Sequence, residues 1–458
     1  MNELQMSHAG FKAYDIRGRM PDEINEELAY RVGRAYADLY QPGTVAVGRD
    51  IRPSSKALSD AVIRGLSDGG ADVLDIGLCG TEMVYFASFY YGNVDGGLMI
   101  TASHNPSDNN GIKIVRKNGV PVSADTGLKG IEALAFSGNF KTAGERGKVT
   151  EKDVMDEYIA HILSYVDVSA MNPLTIVADA GNGCAGLAFQ KLKPYLPFHF
   201  IEMYMEPDGT FPHGVPNPML PENREPLIRK VKETGADLGI AWDGDFDRCF
   251  FIDHTGSFVE GYYMVGLLAG YFLKRHPGEM VIHDPRCFWN TEKIAETLGG
   301  HCTISKGGHA FMKETMRRVH GIYGAEMSAH HFFRDFSYCD SGMIPWLIVA
   351  QIMSETGKSL HELVGAMEKE FPCSGEINLP ARDVAGVLKA VEEKYGSKAQ
   401  AVSHLDGVSM DFGTWRFNLR PSNTEPLIRF NMETRGDKKL LAEKKDEVIS
   451  FVKAVNKN

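Results

Sequence analysis

The chain has 458 residues, 43% hydrophobic and 24% charged, with 48 glycines against 21 prolines. That composition excludes disordered, collagen-like and disulfide-scaffold classes, and the length predicts about three or four domains, each with its own core. Its 49 basic and 60 acidic side chains leave a net charge of -11, which opposes non-specific nucleic-acid binding, so an anionic ligand would need a locally basic pocket.

The N-terminal stretch MNELQMSHAGFKAYD has no apolar signal core. A short apolar run ending in small or acidic residues then recurs: TVAVGRD (44–50), DVLDIG (72–77), GLMITASHN (97–105), LTIVADAGNG (174–183), DLGIAWDGD (237–245) and MVIHDPR (280–286). Amphipathic helical patterns separate several of them, as at Ser54 to Ser67 and Glu222 to Thr234. Continuous apolar strands alternating with helices predict buried parallel or mixed sheets, whose ligands gather beyond the carboxyl ends of the strands. All six runs carry their polar residues at that end. The apolar stretch Tyr262 to Leu273 is interrupted by glycines and falls short of the roughly 20 residues that cross a bilayer.

The six runs exceed one sheet and are divided among similar α/β units. Junctions are read at Ser137 to Thr150, at the Asp253-His254-Thr255-Gly256 turn and at Phe371 to Gly375. Past residue 375 the texture changes: a helix near 382–395, the β-rich run SMDFGTWRFNLRPSNTEPLIRFNMET and a charged helix from Lys438 to Asn456 predict a smaller α+β domain. The expected domains are 1–150, 151–254, 255–370 and 371–458. Seven cysteines without a CxxC pair fit a reduced, cytoplasmic protein with no membrane partner.

Four motifs carry chemistry. In Asp243-Gly244-Asp245-Phe246-Asp247-Arg248, carboxylates at alternate positions can converge on one hard cation. An EF-hand is excluded, because Arg248 stands where that loop needs glycine and His254 where it needs glutamate. A Mg²⁺ site completed by a substrate phosphate competes with a solvated acidic turn. In Thr101-Ala102-Ser103-His104-Asn105-Pro106, Pro106 keeps Asn105 out of a helix and leaves Ser103 in a loop. Beside a cation that serine is a candidate phosphoryl acceptor; alone, a serine near a histidine is only a turn. In Ala325-Glu326-Met327-Ser328-Ala329-His330, a carboxylate, a hydroxyl and an imidazole suit a polyhydroxylated ligand, and Glu326 and His330 are spaced to share a helix face. The pair His330-His331 has no partner at metal-ligand spacing. Finally, Arg420-Pro421-Ser422-Asn423-Thr424-Glu425-Pro426, with Arg429 beyond, can wrap a phosphate or simply turn a strand.

In order and spacing the four motifs, together with Phe11-Lys12-Ala13-Tyr14-Asp15-Ile16-Arg17-Gly18, resemble the α-D-phosphohexomutases, most closely their bacterial phosphomannomutase/phosphoglucomutase group. The resemblance spans nearly the whole chain. It implies three similar mixed-sheet α/β domains and a smaller C-terminal α+β domain around a central cleft. It further implies that Ser103 carries a phosphoryl group, with His104 beside it, and that Ser103, Asp243, Asp245 and Asp247 bind one Mg²⁺. Lys113, in Asn110-Gly111-Ile112-Lys113, with His104, His330, Arg248 and Arg17, falls on catalytic positions. Tyr14, Lys306, His309, Glu326, Ser328, Arg420, Ser422, Asn423, Thr424 and Arg429 fall on substrate-binding positions, Glu326 and Ser328 reading sugar hydroxyls 3 and 4.

The implied reaction moves a phosphoryl group between positions 1 and 6 of mannose, and of glucose, through a hexose 1,6-bisphosphate. Glucose 1,6-bisphosphate would be the activator, hexose phosphates the partners, and the chain a monomer or weak homodimer. Met327 favours the mannose branch over glucose or glucosamine phosphate mutases. Two positions depart from the family pattern: Ala325 stands where glycine is usual, and Gly307, in Lys306-Gly307-Gly308-His309, where relatives often have threonine. A Mg²⁺-dependent phosphatase using an aspartate nucleophile would leave Ser103, Glu326 and Arg420 without a task. A non-catalytic sugar-phosphate sensor would need neither Ser103 nor three metal carboxylates.

Overall fold

The structure is a computed structural model that describes residues 7–422 and 427–456. The chain forms two compact units. One holds the residues up to Phe258 together with His330–Gly357; the other holds Val259–Ala329 and everything from Lys358 on.

In the first unit, strands β1 (Ile16–Arg19), β2 (Thr44–Arg49), β3 (Asp72–Leu78), β4 (Val94–Ile100), β5 (Asn109–Arg116), β6 (Val120–Pro121) and β7 (Val149–Glu151) make one sheet. Its order is β1-β5-β4-β2-β3-β7, with β6 on β5. The sheet is mixed: β2 runs parallel to β3 and β4, while β5 is antiparallel to β4 and β1. Helix α1 (Glu26–Tyr40) starts where the Asn25 side chain accepts from the Leu28 amide, and it packs on α2 (Ser55–Asp68). Their backbones approach closely because Gly33 and Gly65 carry no Cβ: one on Gly65 would sit 2.1 Å from the Tyr30 carbonyl. Val45 and Val47 of β2 join the core with α1 and α2, whereas Ala46 points to the other face, against Ala87 of α3 (Thr81–Tyr90). Cover on both faces explains why these strands are apolar throughout.

The unit's second sheet comprises β8 (Thr175–Asp179), β9 (His199–Met203), β10 (Leu238–Trp242) and β11 (Cys249–Asp253), in the order β11-β10-β8-β9. β10 and β11 form an antiparallel hairpin whose connection is the 243–248 acidic motif. At the end of β8, Asp179 is buried and accepts from the Gly181 amide at 2.8 Å. Burial pushes its pKa up to about 7. An unfolded aspartate titrates near about 4, so the folded state binds the extra proton between these values and stability falls as pH rises from about 4 to about 7. Asp179→Asn keeps the acceptor and removes the titration. The variant should match the parent near pH 4 and exceed it at pH 8 by on the order of 2–4 kcal/mol in urea unfolding. Equal pH dependence of the two proteins would show that Asp179 ionises freely.

In the second unit, β12 (Met280–His283), β13 (His301–Ile304) and β14 (Tyr323–Ala325) run parallel in the order β13-β12-β14. The chain then returns to the first unit with the antiparallel pair β15 (His331–Phe333) and β16 (Cys339–Asp340). The remaining strands, β17 (Ile377–Pro380), β18 (Ala401–Ser403), β19 (Val408–Asp411), β20 (Trp415–Pro421) and β21 (Leu427–Thr434), form an antiparallel sheet in the order β17-β21-β20-β19-β18. Helices Val384–Tyr395 and Lys438–Val455 bury Val387, Val391, Val448 and Val452 in its core. Three mixed or parallel α/β arrangements followed by an α+β sheet is the expected fold class. Among the described residues no helix is long and apolar enough to cross a membrane, and all seven cysteines are free thiols.

Candidate active site

The carboxyl ends of β2, β3 and β4 meet: the Asp50 amide donates to the Ile100 carbonyl at 2.9 Å and the Cys79 amide to the Arg49 carbonyl at 2.9 Å. Just beyond β4 lies Ser103, 4% exposed and in the left-handed region at φ 51°. A serine held there is strained and persists only where its surroundings dictate it. Its amide donates to Thr101 Oγ1 at 2.9 Å, and its Oγ donates to Asp243 Oδ2 at 2.7 Å, with His104 Nδ1 3.0 Å away.

The acidic motif backs directly onto this loop. A Cβ on Gly244 would lie 2.5 Å from the Ser103 carbonyl, and one on Gly80 would strike the buried Phe246 ring. Phe246 itself turns the chain at φ 47°. Asp243, Asp245 and Asp247 are buried, and each brings an oxygen within 4.8 Å of the others. Asp245 Oδ2 accepts from Thr81 Oγ1 at 2.6 Å, Lys113 Nζ at 2.7 Å and Thr101 Oγ1 at 3.2 Å. Asp247 Oδ2 accepts from Lys113 Nζ at 2.5 Å. Arg248 donates to Asp243 Oδ2 through Nε at 3.0 Å and Nη2 at 2.8 Å.

Three carboxylates thus face two cations, and Asp245 Oδ1 and Asp247 Oδ1 are buried without a hydrogen-bond partner among the described residues. Orphaned carboxylate oxygens are costly. An all-oxygen donor set with two such atoms fits a hard divalent cation.

Electrostatics follow the burial. Burial pushes the Asp243 carboxyl up to about 6 against the pull of Arg248. Burial also opposes the Asp247 charge, but Lys113, His330 and Arg248 outweigh it and hold that carboxyl well below the usual range. For Lys113 burial works against the ammonium, and Asp245 and Asp247 keep its pKa above the ordinary lysine value. Burial drives His104 well below the usual imidazole value, helped by Arg248 and Arg17. Its Nδ1 accepts from Arg248 Nη2 at 2.5 Å, since a guanidinium only donates.

Of the other sequence candidates in this unit, Arg17 reaches the Ser103 loop and His330 the acidic motif. Arg17 donates to Asp15 at 2.6 Å and to Asn105 Oδ1 at 3.2 Å, and half-buried Tyr14 precedes β1. His330 forms a backbone bridge with Arg248 and places Nε2 3.8 Å from Asp247 Oδ1. Asp247, His330 and Asp340 lie within 4.8 Å of one another, a grouping that linear spacing around His330-His331 does not reveal. Glu326 and His330 do not share a helix face. The chain leaves β14 at Ala325, turns through 326–329 with Ala329 at φ 70°, and resumes extended structure, so the i,i+4 spacing has no helix to act on.

The second unit holds its own cluster. Glu326 is 3% exposed and accepts from the Gly308 amide at 2.6 Å, while the Met327 amide donates to Asp284 Oδ2 at 2.9 Å. Ser328 is half-buried, His309 opens the helix His309–Val319, and Lys306 Nζ stands 4.9 Å over the Phe311 ring. Arg286 and Arg429 donate to Glu376 at 2.5 and 3.2 Å, and Arg420 lies 3.7 Å from Glu376 and 3.8 Å from Asp406. Burial opposes the Glu376 charge, but the three guanidiniums, led by Arg286, hold it below the ordinary glutamate range. The Ser422 amide pairs with the Leu427 carbonyl at 2.9 Å; Asn423 and Thr424 lie outside the described residues.

Both departures from the family pattern have a local explanation. Ala325 is strand backbone paired with His283, so its methyl needs no unusual φ. At Gly307 a Cβ would fall 2.8 Å from Asp406 Oδ2, the atom that accepts the Gly307 amide. Sequence reasoning passed over Thr81, Asp284, Glu376 and Asp406. Only Asp284 stood where the pattern points, at the carboxyl end of an apolar run.

A buried serine against three carboxylates, with orphaned oxygens for a cation, is equipped to move a phosphoryl group. The phosphoglucomutase/phosphomannomutase family matches along the whole chain: its alpha/beta/alpha domain I over residues 8–142, domain II over 156–256, domain III over 260–371 and its C-terminal domain over 376–450. The chain belongs to this family and is an enzyme of the isomerase class, a phosphohexose mutase. It is 52% identical over 452 residues to phosphohexose mutases of Xanthomonas campestris pv. campestris, covering 98% of this chain and 100% of the relative. To the phosphomannomutase of Salmonella typhimurium it is 53% identical, covering 93% and 95%. A solved phosphoglucomutase/phosphomannomutase family protein from Burkholderia thailandensis superposes with a TM-score of 0.89 at 30% identity, covering 98% of each chain.

Proposed function

We propose that the enzyme interconverts mannose 1-phosphate and mannose 6-phosphate, and the glucose pair, through a phosphoserine at 103 and a hexose 1,6-bisphosphate. The observation that carries this is the Ser103 Oγ, buried 2.7 Å from Asp243 Oδ2 beside the two orphaned aspartate oxygens.

In the proposed cycle the bond between phosphorus and Ser103 Oγ breaks as a bond forms to the free sugar hydroxyl. The hydroxyl proton passes to His330, the imidazole near Asp247. Lys113, bound to Asp245 and Asp247 at once, and Arg248 supply fixed positive charge around the moving group. Asp243, Asp245 and Asp247, with the phosphoserine, would hold one Mg²⁺, which when bound offsets the charge on the transferring oxygens. The bisphosphate then turns, and its other phosphoryl group returns to Ser103. Glucose 1,6-bisphosphate would prime enzyme that has lost its phosphate.

Glu326 and Ser328 read hydroxyls that both orientations present, and Arg420, Ser422, Asn423, Thr424 and Arg429 hold the phosphate not being transferred. Equatorial hydroxyls 3 and 4 are common to mannose and glucose, which differ at position 2, so one site can serve both sugars. The relatives named phosphomannomutase support mannose as a main substrate.

Phosphorus NMR of mannose 1-phosphate and glucose 1-phosphate, each with Mg²⁺ and a trace of glucose 1,6-bisphosphate, tests this function. Both should give the 6-phosphate without inorganic phosphate. Release of inorganic phosphate as the main product would contradict it.

A further inference from the structure

Arg52 lies two residues beyond Asp50 in the turn after β2, outside every motif considered above, and its side chain is completely buried. A guanidinium has five N–H donors, and here each has an acceptor. Nε donates to Asp50 Oδ2 at 3.1 Å. Nη1 donates to the carbonyls of Pro106 at 2.5 Å and Asn109 at 3.0 Å. Nη2 donates to the carbonyls of Ser103 at 2.8 Å and Asn105 at 2.7 Å.

Four backbone carbonyls of the 103–109 loop therefore converge on one side chain. Asp50 is fixed in turn: its Oδ1 accepts from the Arg52 amide and from Ser55 Oγ, and Ser55 Oγ accepts from Asn110 Nδ2 at 2.9 Å. The Phe211 ring covers the guanidinium with its centroid 5.3 Å away.

The two peptide groups flanking Ser103 are thereby both held. The amide goes to Thr101 and the carbonyl to Arg52, around a residue at φ 51° that would otherwise relax. We infer that Arg52 is a positioning residue for phosphoryl transfer: by gathering the loop carbonyls it keeps Ser103 in the left-handed conformation that aims Oγ at the acidic motif. The inference rests on the proposed role of Ser103. All five donors of Arg52 are spent on Asp50 and the loop carbonyls, so it acts through the loop. Lysine cannot replace it, since an ammonium offers three donors at a point rather than a planar fork of five.

Arg52→Lys tests this against the parent and Ser103→Ala, with thermal melting, kcat, KM and Ser103 phosphorylation measured for each. Folded R52K should lose about 10²-fold in kcat, the scale of a misplaced reacting group, with KM within about threefold of the parent. A merely structural arginine would lower the melting temperature and leave kcat per folded molecule unchanged. In R52A, guanidinium at sub-denaturing concentration should restore turnover at least about tenfold, while methylammonium of equal charge should not.

A folded R52K with kcat within about threefold of the parent overturns the inference. Should R52K fail to fold, D50N carries the same test: kcat reduced at constant KM supports the role of Arg52, and unchanged kcat overturns it. The two levels separate cleanly. A parent without phosphate on Ser103, together with an active S103A, removes the phosphoserine itself; a phosphorylated parent with an indifferent R52K removes only Arg52.

Discussion

Ser103→Ala lowers mutase turnover by at least about 10⁴-fold while the protein stays folded, because the substitution deletes the atom proposed to carry the phosphoryl group. Among the described residues, the hydroxyls that neighbour Ser103 Oγ are already committed. Thr101 Oγ1 is committed to the Ser103 amide and to Asp245, and Thr81 Oγ1 to Asp245. The structural cost is small, since Asp243 keeps both hydrogen bonds from Arg248 when Ser103 Oγ is removed. Steady-state turnover of mannose 1-phosphate beside a thermal melt checks the prediction. A folded S103A retaining more than about a hundredth of parental turnover would be incompatible with a phosphoserine cycle.

Asp245→Asn should cost about 10³-fold in turnover, on the scale set by losing a metal-held charge in transfer. Asparagine is isosteric and can still accept from Thr81 and Thr101, so the packing around β10 is preserved. What changes is charge. The carboxylate whose Oδ1 is orphaned and buried becomes a neutral amide, and one of the two counter-charges on Lys113 is lost. Half-saturating Mg²⁺ should therefore rise by about 10- to 100-fold, with residual activity climbing as Mg²⁺ is added. Titration of activity with Mg²⁺, after chelation of both proteins, reads this directly. An unchanged Mg²⁺ requirement would exclude Asp245 from the cation site. Asp247→Asn is the poorer probe, because it also frees the buried Lys113 from its shortest ion pair.

Much of the architecture was legible because burial on both faces leaves a direct mark on composition. Val45, Ala46 and Val47 must all be apolar when helices cover both sides of β2, and each of the six apolar runs overlaps a strand of the structure. The acidic motif drew attention for a different reason: three close carboxylates repel one another unless a cation compensates, whereas Ser103, on its own only a turn residue, was singled out through the family resemblance. The Glu326–His330 expectation failed because i,i+4 spacing says nothing unless the backbone is helical, and Ala329 at φ 70° breaks it.

What stayed hidden was long-range. Arg52 meets carbonyls more than fifty positions away, Thr81 meets Asp245 across 164 positions, and Arg286 meets Glu376 across 90. No local pattern encodes such pairs, since each partner alone is an ordinary arginine, threonine or glutamate. The left-handed conformation of Ser103 is equally silent, because a glycine would have signalled it and a serine does not.

Locating the enzyme-bound phosphoryl group tests the account at its centre. The parent enzyme is incubated with Mg²⁺ and glucose 1,6-bisphosphate, digested, and its phosphopeptide identified by mass spectrometry under acid and mild alkaline conditions. A phosphoserine cycle predicts an acid-stable phosphoryl group on Ser103 that persists when mannose 1-phosphate or glucose 1-phosphate is added, while isotopic label placed on that phosphoryl group passes to the sugar phosphates. An alkali-labile acyl phosphate within residues 243–247, or no phosphoryl group on the protein at all, would contradict it.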